Sequence, residues 1–429
     1  MRSKDEDERS GLSALLRSAE LDTRLLGMFG ALIVIWVGFN IMSDGTFLTP
    51  RNLWNLSVQT SVVAIMATGM VLVIVSRNID LSVGSMMAAI GMFMAVLQVE
   101  ILPDVFGPGH PMVWILTLVA GIAMGALIGG IQGSIVAYLG VPSFIVTLGG
   151  LLVWRGVAWV MASGRTIAPM DLTFQIFGGG ARGTIGGTWT WILGVAASVA
   201  IVLLLWSRRR QRIKFGFEPR PMWAEIGIGA AGVGGVLGAT AVINAYPMPE
   251  LLARKWAEEN NVAWPAEGLT IPLGLAVPVL ILIVVAVVVH FLATRTRFGR
   301  YVYAIGGNPE AAKLAGIKTK WITVKMFMLM GMLVAVSAAV SISRLNAATS
   351  GLGNLTELYV IAAAVIGGTS LLGGIGTIPG AVLGALVMQS LISGMALMGL
   401  EAPYKNIIVG IVLVGAVSLD SFYQRKVTK

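Results

Sequence analysis

Long apolar runs recur along almost the whole chain, and few folds can absorb them. Twelve stand out, near 25–42, 58–76, 82–99, 112–138, 142–162, 189–206, 222–244, 271–293, 321–341, 357–375, 378–400 and 405–420. Most approach the roughly 20 residues that a helix rising about 1.5 Å per residue needs to cross a hydrocarbon layer about 30 Å thick. Charged residues make up 12% of the chain against 56% hydrophobic, a balance that excludes a soluble globular domain. The sequence therefore predicts an all-α, polytopic transmembrane helical bundle of about 12 spans.

Charge placement orients the bundle. With both termini cytoplasmic, 21 of the 30 Lys and Arg fall in cytoplasmic segments, seven in external ones and two, Arg155 and Lys325, within spans. An excess of cations in cytoplasmic loops is the signal that sets topology, so the net charge of +9 does not imply a nucleic-acid partner. The expected division is a cytoplasmic tail (1–24), one transmembrane domain (25–420) and a second cytoplasmic tail (421–429). The first tail is charged and lacks a small-residue cleavage pattern, so no cleaved signal is expected and the first helix acts as its own. Two external stretches, 163–188 and 245–270, interrupt the helical pattern without reaching domain size.

Two segments combine polar residues with helix punctuation. The first, Arg77 to Ser85, sets Asp80 between two apolar runs, either as N-cap of the helix that follows, accepting an N–H near Val83, or as a substrate contact. The second lies in the cytoplasmic stretch 294–320. Asn308 reads as an N-cap, Pro309 as the first helical residue, Glu310 as a favourable charge at the positive helix end and Gly316 as the stop. A helix of seven residues is unstable alone in water, so this one reads as a knob docked into a partner rather than an ordinary loop. Small residues recur every four positions at Gly121, Gly125, Gly129 and Gly133, and at Gly376, Gly380 and Gly384; tight packing within one subunit outweighs a dimer interface as their use. Val71–Ser85 and Ala364–Thr377 share a run–turn–helix pattern of the kind seen in the two halves of transporters.

Absences narrow the chemistry. No Gly-Lys pair occurs, so the phosphate-cradling loop of an ATPase is missing and this chain binds no nucleotide of its own. The chain has no cysteine, which excludes thiol chemistry, and its two histidines, His110 and His290, fall near opposite faces, which argues against a metal site. The ionisable residues Arg155, Lys325 and Glu357 lie near span ends or glycines, where snorkelling or capping accounts for them better than ion coupling. Gln59, Thr60, Ser61, Thr68, Asp80, Ser82, Gln132, Ser134 and Thr147 could line a path by replacing solute hydration, or be satisfied by carbonyls of their own helices. The external arginines Arg51, Arg165, Arg182 and Arg344 either meet a soluble partner or stay solvated.

Four ordered motifs, IDLSVGS at 79–85, VPSFIVTLGGLLVWRG at 141–156, TRFGRYVYAIGGNPEAAKLAGI at 296–317 and AAAVIGGTSLLGGIGTIPGAVLGAL at 362–386, give the chain its resemblance to the ribose/xylose-type permeases of bacterial ABC sugar importers. The greater length is most similar to D-xylose and multiple-sugar permeases. The resemblance implies an inner-membrane homodimer, cytoplasmic ATPase subunits or a tandem ATPase chain that use ATP and Mg, and a periplasmic binding protein that delivers a monosaccharide. It also makes the segment around Gly306, Gly307, Asn308, Pro309, Glu310, Ala311, Ala312, Leu314, Ala315 and Gly316 the coupling helix that enters the ATPase. Relatives have about ten spans, and an extra hairpin at 189–244 departs from that pattern. A proton- or sodium-coupled sugar carrier is the second reading; a passive channel or scaffold explains the capped cytoplasmic helix less well.

Overall fold

The computed structural model describes residues 23–265 and 268–427; residues 1–22 of the expected N-terminal tail and the last two residues of the C-terminal one lie outside the described residues. Helices follow one another in the order α1 (Thr23–Met42), α2 (Pro50–Val75), α3 (Val83–Val96), α4 (Leu102–Phe106), α5 (Pro111–Ser134), α6 (Ser143–Ala162), α7 (Gly186–Lys214) and α8 (Met222–Asn244). The chain continues as α9 (Glu250–Glu259), α10 (Val277–Arg295), α11 (Arg297–Gly307), α12 (Pro309–Leu314), α13 (Thr319–Leu345), α14 (Thr356–Ile366), α15 (Ile378–Leu397) and α16 (Ala402–Val427). All twelve predicted runs carry a helix. Among the described residues nine helical stretches are long and apolar enough to span a membrane, and Leu26–Met42, Thr356–Ile366 and Ala402–Gly415 are shorter. The run at 357–375 is the one the sequence overextends, because helix ends at Ile366 and a glycine-rich irregular segment follows. The last helix runs through the segment read as a tail, to Val427.

Local chemistry sets the helix starts. Thr49 caps α2 through its side chain, which accepts the Asn52 N–H, and Pro50 fills the first position, where no N–H is needed. His110 with Pro111 and Thr377 with Pro379 repeat that arrangement at α5 and α15.

The chain divides into two compact units, residues 31–184 with 276–429, and residues 185–275 with the segment up to residue 30. In the larger unit α2 is the axis. Its apolar window is 94% buried inside the protein, against 11% for α6, so α2 meets protein where α6 meets lipid. Both glycine stripes pack within the chain. A Cβ on Gly125 or Gly129 would strike the backbone of Gly331 or Phe327 on α13, and one on Gly380 or Gly384 the backbone of Gly367 or Ala363 at the end of α14. Backbone-to-backbone approach of this kind replaces the hydrophobic drive that is missing between helices in lipid.

The smaller unit contains the extra hairpin, α7 and α8, whose Gly194 and Thr240 meet. The stretch between α8 and α10 holds α9, a short amphipathic helix where the sequence predicts only an interruption, with Ala253 and Ala257 buried.

Gly125→Val puts its side chain into the Gly331 carbonyl and is expected to destabilise the protein by about 2 kcal/mol. Gly149→Ala, with nothing near its added carbon, is expected to leave stability unchanged. Thermal unfolding of the two variants in one detergent checks the contrast.

Candidate functional site

Two helices of the larger unit begin inside the bundle rather than at its edge. The helix α6 has 20 residues and a length of about 30 Å, so it serves as a ruler of membrane depth. At its start, the Ser143 hydroxyl accepts the Ile79 N–H at 3.2 Å, and one turn on the Thr147 hydroxyl contacts the Ile79 carbonyl at 3.2 Å. A Cβ on Gly150 would lie beside Ser82, at the start of α3. Arg155, about 18 Å from the start of α6, donates from Nη1 to the carbonyls of Ser350 (2.8 Å) and Leu352 (2.7 Å), in the loop that leads to α14. Gly84 in the first turn of α3 lies against the Gly353 carbonyl and the Glu357 carboxylate. The N-termini of α3 and α14 therefore meet alongside the middle of α6, and both approach through irregular backbone.

A polar cluster holds this junction. The Ser82 N–H and hydroxyl donate to Asp80 Oδ1 at 2.9 and 2.6 Å, and the Gln132 amide donates to the Ser82 oxygen at 3.1 Å. Asp80 is not the N-cap of α3. That position belongs to Ser82, and the carboxylate turns back on the residue two places ahead, an Asx-type turn. Asp80, Ser82, Gln132 and Thr147 are at most 3% exposed, so a solute reaches them only after the surrounding helices part.

Arg155 and Glu357 do not snorkel. Arg155 points inward to the two carbonyls, and Glu357, 7% exposed in the first turn of α14, lies where the helix dipole favours a negative charge. Their opposite charges interact, and Glu357 Oε2 is buried with no hydrogen-bond partner. Lys325, by contrast, is exposed and lies 5.2 Å over the Trp321 ring, consistent with an interfacial residue.

The segment that carries α11 and α12 is wired to this junction. Arg77 adopts φ of 64° and donates from Nε to the Gly306 carbonyl (2.7 Å) and from Nη2 to the Gly307 carbonyl (2.9 Å), capping the C-terminus of α11. Gly306 itself sits against the Val75 carbonyl too closely for any side chain. From the other side the Tyr303 hydroxyl donates to the Gly376 carbonyl at 2.7 Å, and burial pushes its phenol up, which keeps it a donor. The helix α11 was missed in the sequence, although Thr296 caps it and Phe298, Tyr301, Val302 and Ile305 follow helical spacing.

The short helix α12 forms as its punctuation predicts. The Asn308 side chain accepts the Ala311 N–H at 3.0 Å, Pro309 leads, and Gly316 follows the end at φ of +78°. Its two faces differ in exposure. Ala312 is buried against its own chain, whereas Leu314 is 88% exposed.

Other candidates lie apart. The Gln389 amide donates to Gln59 at 2.9 Å, Ser61 and Thr68 bond to carbonyls of their own helix, and Thr60 is buried with its hydroxyl unpartnered. Ser134 ends α5 half-buried, ahead of a π-helical turn. Arg51, Arg182 and Arg344 are exposed, while Arg165 pairs with Glu100 at 3.2 Å.

Comparison with known proteins supplies the family. Residues 52–417 match the family described as branched-chain amino acid transport system, permease component. The chain belongs to this permease family. The xylose transport system permease protein XylH of Escherichia coli (strain K12) is 36% identical over 406 residues, 95% of this chain and 94% of the relative. Its Haemophilus influenzae counterpart is 37% identical over 411 residues, 96% and 99% of the two chains. The Escherichia coli ribose import permease protein RbsC is 30% identical over 392 residues, 91% and 92%. No solved structure matches significantly. This permease is a multi-pass inner-membrane protein, and transport rather than catalysis is its family's role.

Replacing Arg155 strips two part-buried carbonyls of their donor and leaves Glu357 without its cation. Arg155→Met is expected to cost on the order of 2 kcal/mol. Glu357→Gln in the same chain is expected to cost less than it does alone, a coupling that a double-mutant cycle of unfolding temperatures in detergent measures.

Proposed function

We propose that this permease is the membrane subunit of an ATP-driven importer that moves a monosaccharide, a pentose such as xylose, across the inner membrane. The observation that carries the reading is the connection between the two ends of the larger unit. Arg77 ties the carbonyl end of α11 to the short polar segment that leads into the α3–α14 junction, so displacement of α12 pulls on the junction directly. Helix N-termini that face each other at mid-membrane are a transporter device, and hydroxyl, amide and carboxylate groups beside them suit a hydroxyl-rich solute. Identity to xylose permeases along the whole chain favours a pentose.

In this reading both termini are cytoplasmic and two copies of the chain assemble. Cytoplasmic ATPase subunits use ATP and Mg, and this chain binds no cofactor. A periplasmic binding protein delivers the sugar, with Arg51, Arg182 and Arg344 meeting acidic residues on its lobes. Arg165 is already committed to Glu100. The cytoplasmic contact is α12, and Leu314 is its anchor: a leucine left 88% exposed on a capped helix gains by entering an apolar groove.

A gradient-coupled sugar carrier is the second reading, because a buried carboxylate oxygen with no partner is the group that such a carrier would load with a proton or sodium ion. Sugar uptake driven by an ion gradient into vesicles that hold this chain alone would establish it.

The purified chain is expected to show no ATP turnover. Leu314→Asp is expected to leave unfolding temperature unchanged and weaken assembly with the partner ATPase at least 10-fold, because the side chain is already in water. Copurification and unfolding temperature measure both; intact assembly with coupled hydrolysis would remove α12 as the contact.

A further inference from the structure

The hairpin α7–α8 belongs to no part of the proposed mechanism, and its turn has a composition of its own. The helix α7 has 29 residues, of which about 20 cross a hydrocarbon layer, so its last two turns project about 12 Å beyond Trp206. That is the depth of lipid headgroups. Those turns and the following loop carry Arg208, Arg209, Arg210, Arg212, Lys214 and Arg220. The stretch from Arg208 to Glu225 holds two acidic residues, Glu218 and Glu225. Arg209 is ion-paired to Glu225 at 2.8 Å, and it also donates to the Arg220 carbonyl, folding the loop back against α7.

Three of the cations face outward. Arg210 and Lys214 lie four residues apart on one flank of α7, close enough for one phosphodiester to meet both, and Arg208 lies on the opposite flank. Arg208, Arg210 and Lys214 are exposed. Aromatic rings frame the cations: Trp206 is 51% exposed with the Arg210 guanidinium 3.7 Å over its ring, and Phe215, Phe217 and Trp223 are 70, 69 and 54% exposed. Exposed rings beside cations at this depth match an interface that is apolar on one side and anionic on the other. A docking surface for an acidic protein would not need four large rings turned outward at the edge of the hydrocarbon.

We propose that the turn joining α7 and α8 is a binding site for an anionic phospholipid, its phosphate held between cations at the end of α7 and its acyl chains lying against Trp206 and Trp223. The site does not depend on the transport reading, and its test needs no transport assay. Native mass spectrometry of the full chain in neutral detergent, titrated with phosphatidylglycerol or phosphatidylcholine, reads the preference directly. The expected result is retention of phosphatidylglycerol at least ~10-fold over phosphatidylcholine. R208Q/R210Q/K214Q brings the ratio below ~2-fold, R208K/R210K keeps it, and R300Q/K318Q/K320Q, equally neutralising elsewhere, leaves it unchanged. If the triple variant fails to purify, single Arg208→Gln and Lys214→Gln are each expected to lower the ratio ~2-fold. An unchanged ratio in the triple or in both single variants overturns the proposal. So does loss of the preference in millimolar inorganic phosphate, which would make the turn a free-phosphate site. Loss of ATPase assembly with the lipid preference intact overturns it too, making the turn a protein contact.

Discussion

A peptide group that leaves helix geometry inside hydrocarbon must find its partner within the protein, and this bundle contains two segments that do so, 78–82 and 346–355. Their partners are few and specific. Arg155 serves the Ser350 and Leu352 carbonyls, Ser143 and Thr147 serve Ile79, and Asp80 serves the Ser82 N–H. Without them α3 and α14 could not begin where they do. The constraint also explains Gly84, since the Gly353 carbonyl and the Glu357 carboxylate close over it and leave no room for a Cβ.

Glycine-to-backbone contacts make the rest of the bundle stiff enough to transmit motion. The helices α5 and α13 touch along three turns, and α14 and α15 along two, so each pair moves as one body. Irregular segments between these bodies are the places where displacement can be absorbed. One of them starts at Arg77, whose guanidinium is already attached to α11. A pull on α11 and α12 therefore reaches the start of α3 through residues 78–82.

Features encoded locally were legible in the sequence. Asn308, Pro309 and Gly316 specify α12 by themselves, and each long apolar run became a helix because lipid leaves no competing outcome. Features decided by tertiary contact were not. Thr356–Ile366 reads as half of a longer span because Gly367 and Gly368 look like packing glycines until the approach of α15 shows why the helix ends there. Arg155 reads as a snorkelling or capping residue because its partners are backbone carbonyls almost 200 residues away, which carry no sequence signature. Ala312 and Leu314 differ in exposure for the same reason: α12 has one face against its own chain, and helical spacing alone does not say which. Asp80, Ser82, Gln132 and Thr147 come together in one polar cluster, while Gln59, Ser61 and Thr68 share their residue types but bond elsewhere.

The central claim is that Arg77 carries motion from α11 and α12 to the junction, and the direct measurement is sugar transported per ATP hydrolysed. The permease is reconstituted in liposomes with its partner ATPase and binding protein, with Arg77 intact or as Arg77→Ala. The account predicts that Arg77→Ala assembles and hydrolyses ATP at a rate within about 2-fold of the parent while uptake per ATP falls at least ~10-fold, the loss of about 1.4 kcal/mol or more of coupling. Uptake per ATP equal to that of the parent would contradict it.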